Sequence, residues 1–321
     1  MSRFPPRNAS RHPKAIYRAK MIAKDELMLL YLCLAILLAG QASSTNTART
    51  AYNSLFETDK SFAAAAAGKP PIEAIPAMFA EDVNVPVGAA FVQGRQKVID
   101  AMKATPDNVN GRVQWTPVGG NISADGTHGF TFGYMTTTKA DGTTVPMKYL
   151  AYWVKGTDGW RVAVYRRRPR PQGDVSTTPM EPSLPPRMVA PSTDAALIRK
   201  HGDSLAAAEK AFSDLAQTVG LGAAFVKNGR ADAINMGGAK TPAFVVGAAA
   251  IGEVVGEGAP TDRSELEWSA DRVLVASSGD LGVTIGAIRP HKAAEGQPSA
   301  FPFFTIWRRD DPSQPWRYIA E

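Results

Sequence analysis

The sequence predicts an α+β fold that is built twice, with helices first and a curved antiparallel sheet after them in each copy. Three observations predict it. A pattern of glycine, threonine and tryptophan recurs after about 150 residues, an amphipathic helix opens each copy, and a proline-rich segment separates the copies. A period this long indicates a duplicated domain, because solenoid repeats have periods of about 20–50 residues.

The recurrence keeps its order along the chain. Acidic and apolar residues of the first helix come first, then a G-x-T-x-G motif, then tryptophans. The matched residues are Leu55, Asp59 and Phe62 with Leu205, Glu209 and Phe212; Gly129, Thr131 and Gly133 with Gly282, Thr284 and Gly286; and Trp115, Trp153 and Trp160 with Trp268, Trp307 and Trp316.

Helical periodicity is clear at the start of each copy. Apolar residues recur at the spacing of one helix face, which is Tyr52, Leu55, Phe56, Asp59, Phe62, Ala63 and Ala66 in the first copy and Leu205, Ala208, Glu209, Phe212, Leu215, Ala216 and Val219 in the second. Shorter helices are predicted over 72–80, 95–103, 221–227 and 248–255. Alternating strands bounded by turn residues follow at 113–118, 129–138, 147–154 and 160–165, and again at 303–308 and 316–319.

These patterns divide the chain into four parts. Residues 1–42 are predicted to be an export signal, 43–165 the first domain, 166–203 a Pro-rich linker and 204–321 the second domain. The linker composition favours an extended, semi-rigid segment. Arg166, Arg167, Arg168 and Arg170 open it and are interpreted as a solvated strand end, with contact to phosphate or a membrane surface as the alternative.

The leader combines a basic stretch with the apolar run Leu27–Ala39 and with small residues before a cleavage position after Ala42. This run is shorter than the roughly 20 residues that span a bilayer. The predicted localisation is therefore periplasmic or secreted. An uncleaved N-terminal membrane anchor and a buried helix are the alternatives, and Met21 is an alternative start. Contact with a membrane is expected only through this segment.

Charge and composition exclude several classes of function. The net charge is +6, but the leader holds seven Lys or Arg against two acids, so the rest of the chain is near neutral and nucleic acid is not expected as a partner. Cys33, which lies in the leader, is the only cysteine of the chain. The histidines lack metal-ligand spacing, and no P-loop or G-x-S-x-G motif is present. No metal and no cofactor are predicted.

Short motifs in both halves resemble NTF2-like domains, also called SnoaL-like or cystatin-like. They include Phe79-Ala80-Glu81-Asp82-Val83, Ser123-Ala124-Asp125-Gly126 and Gly159-Trp160-Arg161-Val162, and in the second half Val245-Val246-Gly247 and Trp316-Arg317-Tyr318-Ile319. The chain is most similar to secreted bacterial members of unknown function. The resemblance implies two cones, each with three N-terminal helices on a strongly curved antiparallel sheet around a cavity. It also implies pairing through the sheets, as an intramolecular pseudo-dimer or a homodimer.

Candidate site residues follow from the helix face and from the comparison of the copies. Asp59 and Glu209 are acids on an apolar face, where burial raises a carboxyl pKa and favours a general base. His128 is the third catalytic candidate, although Leu281 in the second copy favours a packed role. The predicted pocket lining is Tyr52, Phe56, Asp59, Phe62, Trp115, Tyr149, Glu209, Phe212, Trp268 and Phe303.

Two functions are compatible with these residues. The first is non-catalytic, either binding of a small hydrophobic ligand or an interaction module of the cell envelope. The second is an enzyme of the isomerase, dehydratase or hydrolase type that acts on a small apolar molecule with a cavity carboxylate as general base. The sequence favours the first, because no catalytic motif accompanies the acids.

Overall fold

A computed structural model describes residues 46–238, 240–293 and 295–321. The predicted export signal at 1–42 lies outside the described residues. In the described part, no helix has both the length and the apolar character that a membrane crossing requires.

The first domain begins with helix α1 over 46–66, and short helices and a hairpin precede its long strands. The other elements are α2 Pro71–Ala74, a 3₁₀ turn Pro76–Met78, β1 Phe79–Val87, β2 Ala90–Gln93, α3 Arg95–Lys103, α4 Pro106–Asn110, β3 Arg112–Ile122, β4 His128–Thr138, β5 Thr144–Gly156 and β6 Gly159–Pro169.

The second domain repeats this order with fewer helical elements. Its elements are α5 Ala195–Val219, α6 Leu221–Asn228, β7 Gly229–Asn235, β8 Val245–Val246, α7 Ala248–Gly256, β9 Leu266–Val275, β10 Leu281–Pro290, β11 Phe301–Arg308 and β12 Arg317–Ala320. Helix α5 begins at a capped end, because the Asp194 carboxylate accepts hydrogen bonds from the Ala196 and Leu197 amides.

The two sheets have the same topology, which confirms the prediction of a duplicated α+β fold. The strand orders are β2-β1-β6-β5-β4-β3 and β8-β7-β12-β11-β10-β9. Neighbouring strands are antiparallel except β1–β6 and β7–β12, which pair in parallel. These two parallel pairs are the exceptions in sheets that are otherwise antiparallel, as the sequence predicts. Long chain segments separate the partners, so no hairpin turn fixes their relative direction.

Register shifts bend both sheets at matching places. One lies between Tyr152 and Trp153 on β5, and its counterpart lies between Ile306 and Trp307 on β11. An extra residue on one strand locally increases twist and bending. The concave face that results receives α1 in the first domain and α5 in the second.

Strand β5 shows how both faces of the first sheet are buried. Tyr149, Ala151 and Trp153 face α1 and belong to the core of the first domain. Leu150 and Tyr152 alternate with them and belong to a cluster between the two sheets. That cluster joins Val118, Phe130, Phe132, Leu150, Tyr152 and Val164 to Ile234, Met236, Phe244, Leu281, Val283, Ile285, Phe304, Ile306, Ile319 and Ala320. The two domains therefore pack back to back through the outer faces of their sheets.

Hydrogen bonds between the β3–β4 turn and the β9–β10 turn also join the two domains. The Asp125 carboxylate accepts hydrogen bonds from the Ser277 hydroxyl at 2.7 Å and the Ser278 amide at 3.0 Å. In the reverse direction, Asp280 accepts one from the Ala124 amide at 2.9 Å. Burial alone raises the pKa of Asp125, but hydrogen bonds from serine and threonine outweigh it and hold that pKa at about 2.

The segment between β6 and α5 has neither helix nor strand over 170–194. It is shorter at both ends than the linker predicted over 166–203, because β6 continues to Pro169 and α5 begins at Ala195. Backbone hydrogen bonds hold it on the first domain, from the Met180 amide to the Val118 carbonyl at 2.7 Å and from the Val189 amide to the Ala124 carbonyl at 2.8 Å. These bonds attach the segment to the first domain, and its extended, semi-rigid character stays a prediction.

Candidate functional site

Asp59 of α1 is fully buried against the concave face of the first sheet. Its Oδ1 accepts a hydrogen bond from the Trp115 indole at 2.8 Å, and its Oδ2 accepts one from the Tyr149 hydroxyl at 2.7 Å. Trp115 lies on β3 and Tyr149 on β5. The carboxylate therefore ties the first helix to two strands, and we call this arrangement the acid node of the domain.

Glu209 of α5 forms the acid node of the second domain with different partners. The Trp268 indole donates to Oε1 at 2.6 Å, and the Thr284 hydroxyl and Trp307 indole donate to Oε2 at 2.5 and 2.9 Å. Glutamate is one methylene longer than aspartate, so it reaches the tryptophan of β11. In the first domain the matching Trp153 donates instead to Thr131, at 2.8 Å.

The repeated G-x-T-x-G motif has a packing reason. A Cβ atom on Gly129 would lie 2.4 Å from the Leu55 side chain, and one on Gly282 would lie 2.5 Å from Leu205. These glycines let the first helix of each domain approach the sheet closely. The threonine between the glycines points toward the acid node. The motif therefore reports a close helix–sheet contact and does not indicate a ligand site.

Burial raises the pKa of Asp59 and that of Glu209 above their ordinary values, as the sequence predicts for acids on an apolar face. Donated hydrogen bonds oppose this shift: those to Asp59 come from Thr131, Trp115 and Tyr149. Since both oxygens of each carboxylate accept from side chains of the sheet, the acids hold the helices in place.

His128 lies at the start of β4, on the other side of the sheet. Its Nδ1 is 2.8 Å from the Tyr152 hydroxyl, which belongs to the cluster between the domains. Burial lowers the pKa of His128 to about 4, while the nearby Asp125 carboxylate opposes the shift. The imidazole is therefore neutral at pH 7. Because Asp59 and His128 lie on opposite faces of one sheet, they cannot act on a common substrate.

The ten residues predicted to line a pocket lie in the two domain cores. Tyr52, Phe56, Asp59, Trp115 and Tyr149 are buried in the first domain with Phe62 packed against them, and Glu209, Phe212, Trp268 and Phe303 are buried in the second. Within residues 46–238, 240–293 and 295–321, none of the ten lines the three cavities of about 840, 290 and 80 Å³. Helical periodicity identifies the buried face, but it does not distinguish a filled core from an open pocket, so a pocket lined by these residues stays a prediction.

A cavity with a volume of about 840 Å³ lies at the mouth of the first domain. We call it the mouth cavity. Residues from α3, from β1 and from the ends of β5 and β6 line it, and the second domain adds one wall with Ile288, Phe301 and Pro302. Its apolar side includes Ile75, Phe79, Val98, Met102, Met147 and Tyr165, and its charged side includes Asp107, Lys139, Arg166, Arg167 and Arg168.

Aromatic side chains separate the first acid node from the mouth cavity. Tyr149, which donates to Asp59, stacks at 6.3 Å on Tyr165, and Tyr165 lines the cavity. The carboxylate itself has no exposed surface. Asp59 therefore does not contact the cavity, and it affects the shape of the cavity only by positioning these tyrosines.

The second domain is filled at the corresponding place. Phe212, Phe225 and Tyr318 pack together there, with ring centroids 4.9 to 5.9 Å apart. Tyr318 pairs with Gly229 across the parallel strands, whereas the matching pair of the first domain is Val162 and Phe79. The large ring of this strand pair is therefore on β12 in the second domain, as Tyr318, and on β1 in the first domain, as Phe79.

Sequence reasoning missed Arg167, Tyr165 and Met147 as cavity residues. The available signal was the run Arg166, Arg167 and Arg168, which was interpreted as a solvated strand end. In the structure β6 continues through this run, so its side chains alternate between the two faces of the sheet. Arg167 is half-buried on the side of the mouth cavity, and the Arg166 guanidinium contacts the second domain at the Pro302 carbonyl.

Each half of the chain has the architecture of an NTF2-like domain, with helices packed into the concave face of a bent six-stranded sheet. No family model matches the sequence, and no curated protein matches it. Solved structures that are described as NTF2-like or cystatin-like do match. An NTF2-like protein of unknown function from Pseudomonas putida KT2440 has a TM-score of 0.31 and 13% identity, over 37% of this chain and 86% of that chain.

Two other structures show a similar degree of likeness. A cystatin-like protein of unknown function from Nostoc punctiforme has a TM-score of 0.26 and 14% identity, over 30% of this chain and 75% of that one. A ketosteroid isomerase-like protein from Erwinia carotovora atroseptica has a TM-score of 0.26 and 18% identity, over 40% and 94%. At these scores the matches carry no information on function.

Proposed function

We propose that this protein binds a small apolar molecule in the mouth cavity and does not transform it. The volume and largely apolar lining of that cavity carry the proposal. About 840 Å³ falls in the range of small-molecule sites, and the buried Val98 and the half-buried Met102 and Met147 provide apolar contact. Exposed Phe301 from the second domain extends this surface at the rim.

The positions of the catalytic candidates support a binding role over an enzymatic one. General acid–base catalysis requires the acting groups to reach one substrate position. Asp59 lies behind Tyr149 and Tyr165, Glu209 lies in the filled core of the other domain, and His128 lies between the sheets. None of the three lines the mouth cavity. Their contacts fit structural roles.

The leader supports a proposal about location. We infer from its basic and apolar composition that the protein is exported and that it meets its ligand outside the cytoplasm, as a periplasmic or secreted protein. A role as an interaction module of the envelope and a homodimer of the whole chain remain predictions.

Binding of the neutral fluorophore Nile red tests the proposed function. We expect saturable binding to the wild-type chain, with increased fluorescence as the dye leaves water. Ala101→Phe places a ring in the mouth cavity, because Ala101 lines it on α3. We expect this variant to weaken dye binding at least about tenfold, which corresponds to ~1.4 kcal/mol.

Ala104→Phe is the matched control, since Ala104 is the exposed C-cap of the same helix and does not line the cavity. We expect this variant to bind the dye as the wild type does. Absence of saturable binding, or equal binding by wild type and Ala101→Phe, rules out the mouth cavity as the site.

A further inference from the structure

One wall of the mouth cavity is cationic although the body of the protein is near neutral. Lys139, Arg166, Arg167 and Arg168 line it, and Asp107 is the one acid among the lining residues. Within the described residues, none of these four cations forms an ion pair with a carboxylate. A cavity of this kind suits a molecule with an apolar body and an anionic group.

Arg167 is held in place for such a contact. Its Nη2 donates to the Asn108 side-chain carbonyl at 2.6 Å, which orients the guanidinium toward α4. Its Nη1 is buried and has no hydrogen-bond partner among the described residues. An unpaired buried donor on a charged group is costly, and the cost is removed when an anion accepts from it.

The neighbouring arginines have other roles. The Arg166 guanidinium donates to the Pro302 carbonyl and lies 5.7 Å from the centre of the Phe304 ring, so it binds the second domain. Arg168 is exposed at the end of β6. Arg167 alone among the three combines a position at the cavity, an anchoring side chain and an unpaired buried N–H group.

We propose that the ligand of the mouth cavity is an apolar molecule with a carboxylate, and that Arg167 binds the carboxylate. The planar guanidinium matches a carboxylate geometrically, and the charge makes each hydrogen bond stronger than a neutral one. The apolar part lies against Val98, Met102 and Met147, which belong to the same cavity. This assignment rests on the proposed function and adds the chemical class of its ligand.

Competition between two alkyl probes of equal length tests the assignment. Decanoate and decanol differ only in the head group, and each is titrated against Nile red bound to the full chain, below the concentration at which it aggregates. In the wild type we expect decanoate to displace the dye at a concentration at least about tenfold lower than decanol does. Arg167→Gln removes the charge, so we expect it to abolish this difference and to leave displacement by decanol unchanged.

Two further variants keep the test falsifiable. Arg167→Lys keeps the charge without the planar fork and is expected to retain part of the preference for decanoate, even if Arg167→Gln fails to fold. Arg161→Gln on the same strand is the control, because Arg161 lies against Phe62 outside the mouth cavity.

The outcomes separate the two proposals. Equal displacement by decanoate and decanol in the wild type, or an unchanged preference in both Arg167 variants, overturns the carboxylate assignment while the binding function stands. Absence of saturable Nile red binding to the wild-type chain overturns the proposed function itself. A preference for decanoate that Arg167→Gln removes and Arg161→Gln keeps supports the assignment.

Discussion

At the scale of single residues, both acid nodes attach the first helix of a domain to its sheet, but they use different side chains. The first domain uses a short acid, Asp59, with a hydroxyl from Tyr149. The second uses a longer acid, Glu209, with Phe303 at the place of the tyrosine. Both rings pack against a glycine of the next strand, at Gly133 and Gly286, so the surroundings are alike. Acid length and ring chemistry are therefore expected to be coupled.

Exchange of these residues in the second domain tests that coupling. Glu209→Asp shortens the acid away from Trp307, and we expect the free energy of unfolding to fall by about 1–3 kcal/mol. Adding Phe303→Tyr supplies the hydroxyl that Tyr149 supplies in the first domain. The double variant is expected to be more stable than the sum of the single effects by about 1 kcal/mol, as measured by urea unfolding.

Asp203→Glu is the matched control for acid length, because Asp203 is exposed on the same helix. Its effect is expected to stay within about 0.5 kcal/mol. Additive single and double effects would contradict the coupling and indicate that Glu209 is held by its tryptophan and threonine partners alone.

At the scale of elements, the first residue of β4, His128, forms a pH-sensitive contact with β5. Burial lowers the pKa of His128 to about 4, against about 6.5 in an unfolded chain. Between these values the unfolded chain takes up a proton that the folded chain does not. The histidine therefore lowers stability progressively as the pH falls from about 6.5 toward 4, and it has no such effect above that range.

His128→Leu tests this, because Leu281 stands at the matching position of the second domain. We expect the free energy of unfolding of the variant to depend less on pH between about 6.5 and 4, by a slope of up to about one proton. Urea unfolding at several pH values measures the slope. The exposed His291, replaced by leucine, is the control. Equal slopes in wild type and His128→Leu would show that the imidazole is protonated in the folded state.

At the scale of the whole molecule, a buried lysine joins the domains. Lys148 of β5 is 2% exposed, and its ammonium donates to the carbonyls of Met236, Thr241 and Ala243 at 2.5, 2.7 and 2.7 Å. All three acceptors belong to the loop between β7 and β8 of the second domain. The lysine thus uses its three donors on another domain, which fixes that loop on the first sheet.

Lys148→Met keeps the aliphatic volume and removes the donors. We expect amide hydrogen exchange of residues 236–246 to become faster and the free energy of unfolding to fall by about 2 kcal/mol. Lys155→Met is the control, since Lys155 is an exposed lysine on the same strand. Unchanged exchange in Lys148→Met would mean that the apolar cluster between the sheets holds the loop without the lysine.

Much of the fold follows from local patterns. The period of the apolar residues predicts α1 and α5, and the predicted helix over 95–103 coincides with α3. Strands β1 and β7 were not predicted, because β1 contains Glu81, Asp82 and Pro86, and β7 contains one Gly-Arg pair and one Ala-Asp pair in place of a regular alternation. Their parallel pairing with β6 and β12 depends on residues far away in the sequence.

The candidate site was less predictable, for a physical reason. The sequence shows that Phe79 and Tyr318 are large and that Gly229 is small, but only their pairing across strands decides which domain keeps free space. In the sequence, Arg167 is flanked by arginines and prolines, which are typical of an exposed segment and give no sign of a cavity. It becomes a cavity residue because α4 brings Asn108 to its guanidinium.

The sequence by itself determined the duplication, the α+β class and the position of one acid on the first helix of each domain. These depend on residue type and local period, which a linear pattern records. The tertiary structure decided that both acids are bound by the sheet, that the sheets pack back to back, and that the mouth of the first domain is open. Those outcomes depend on how side chains distant in sequence share a limited volume.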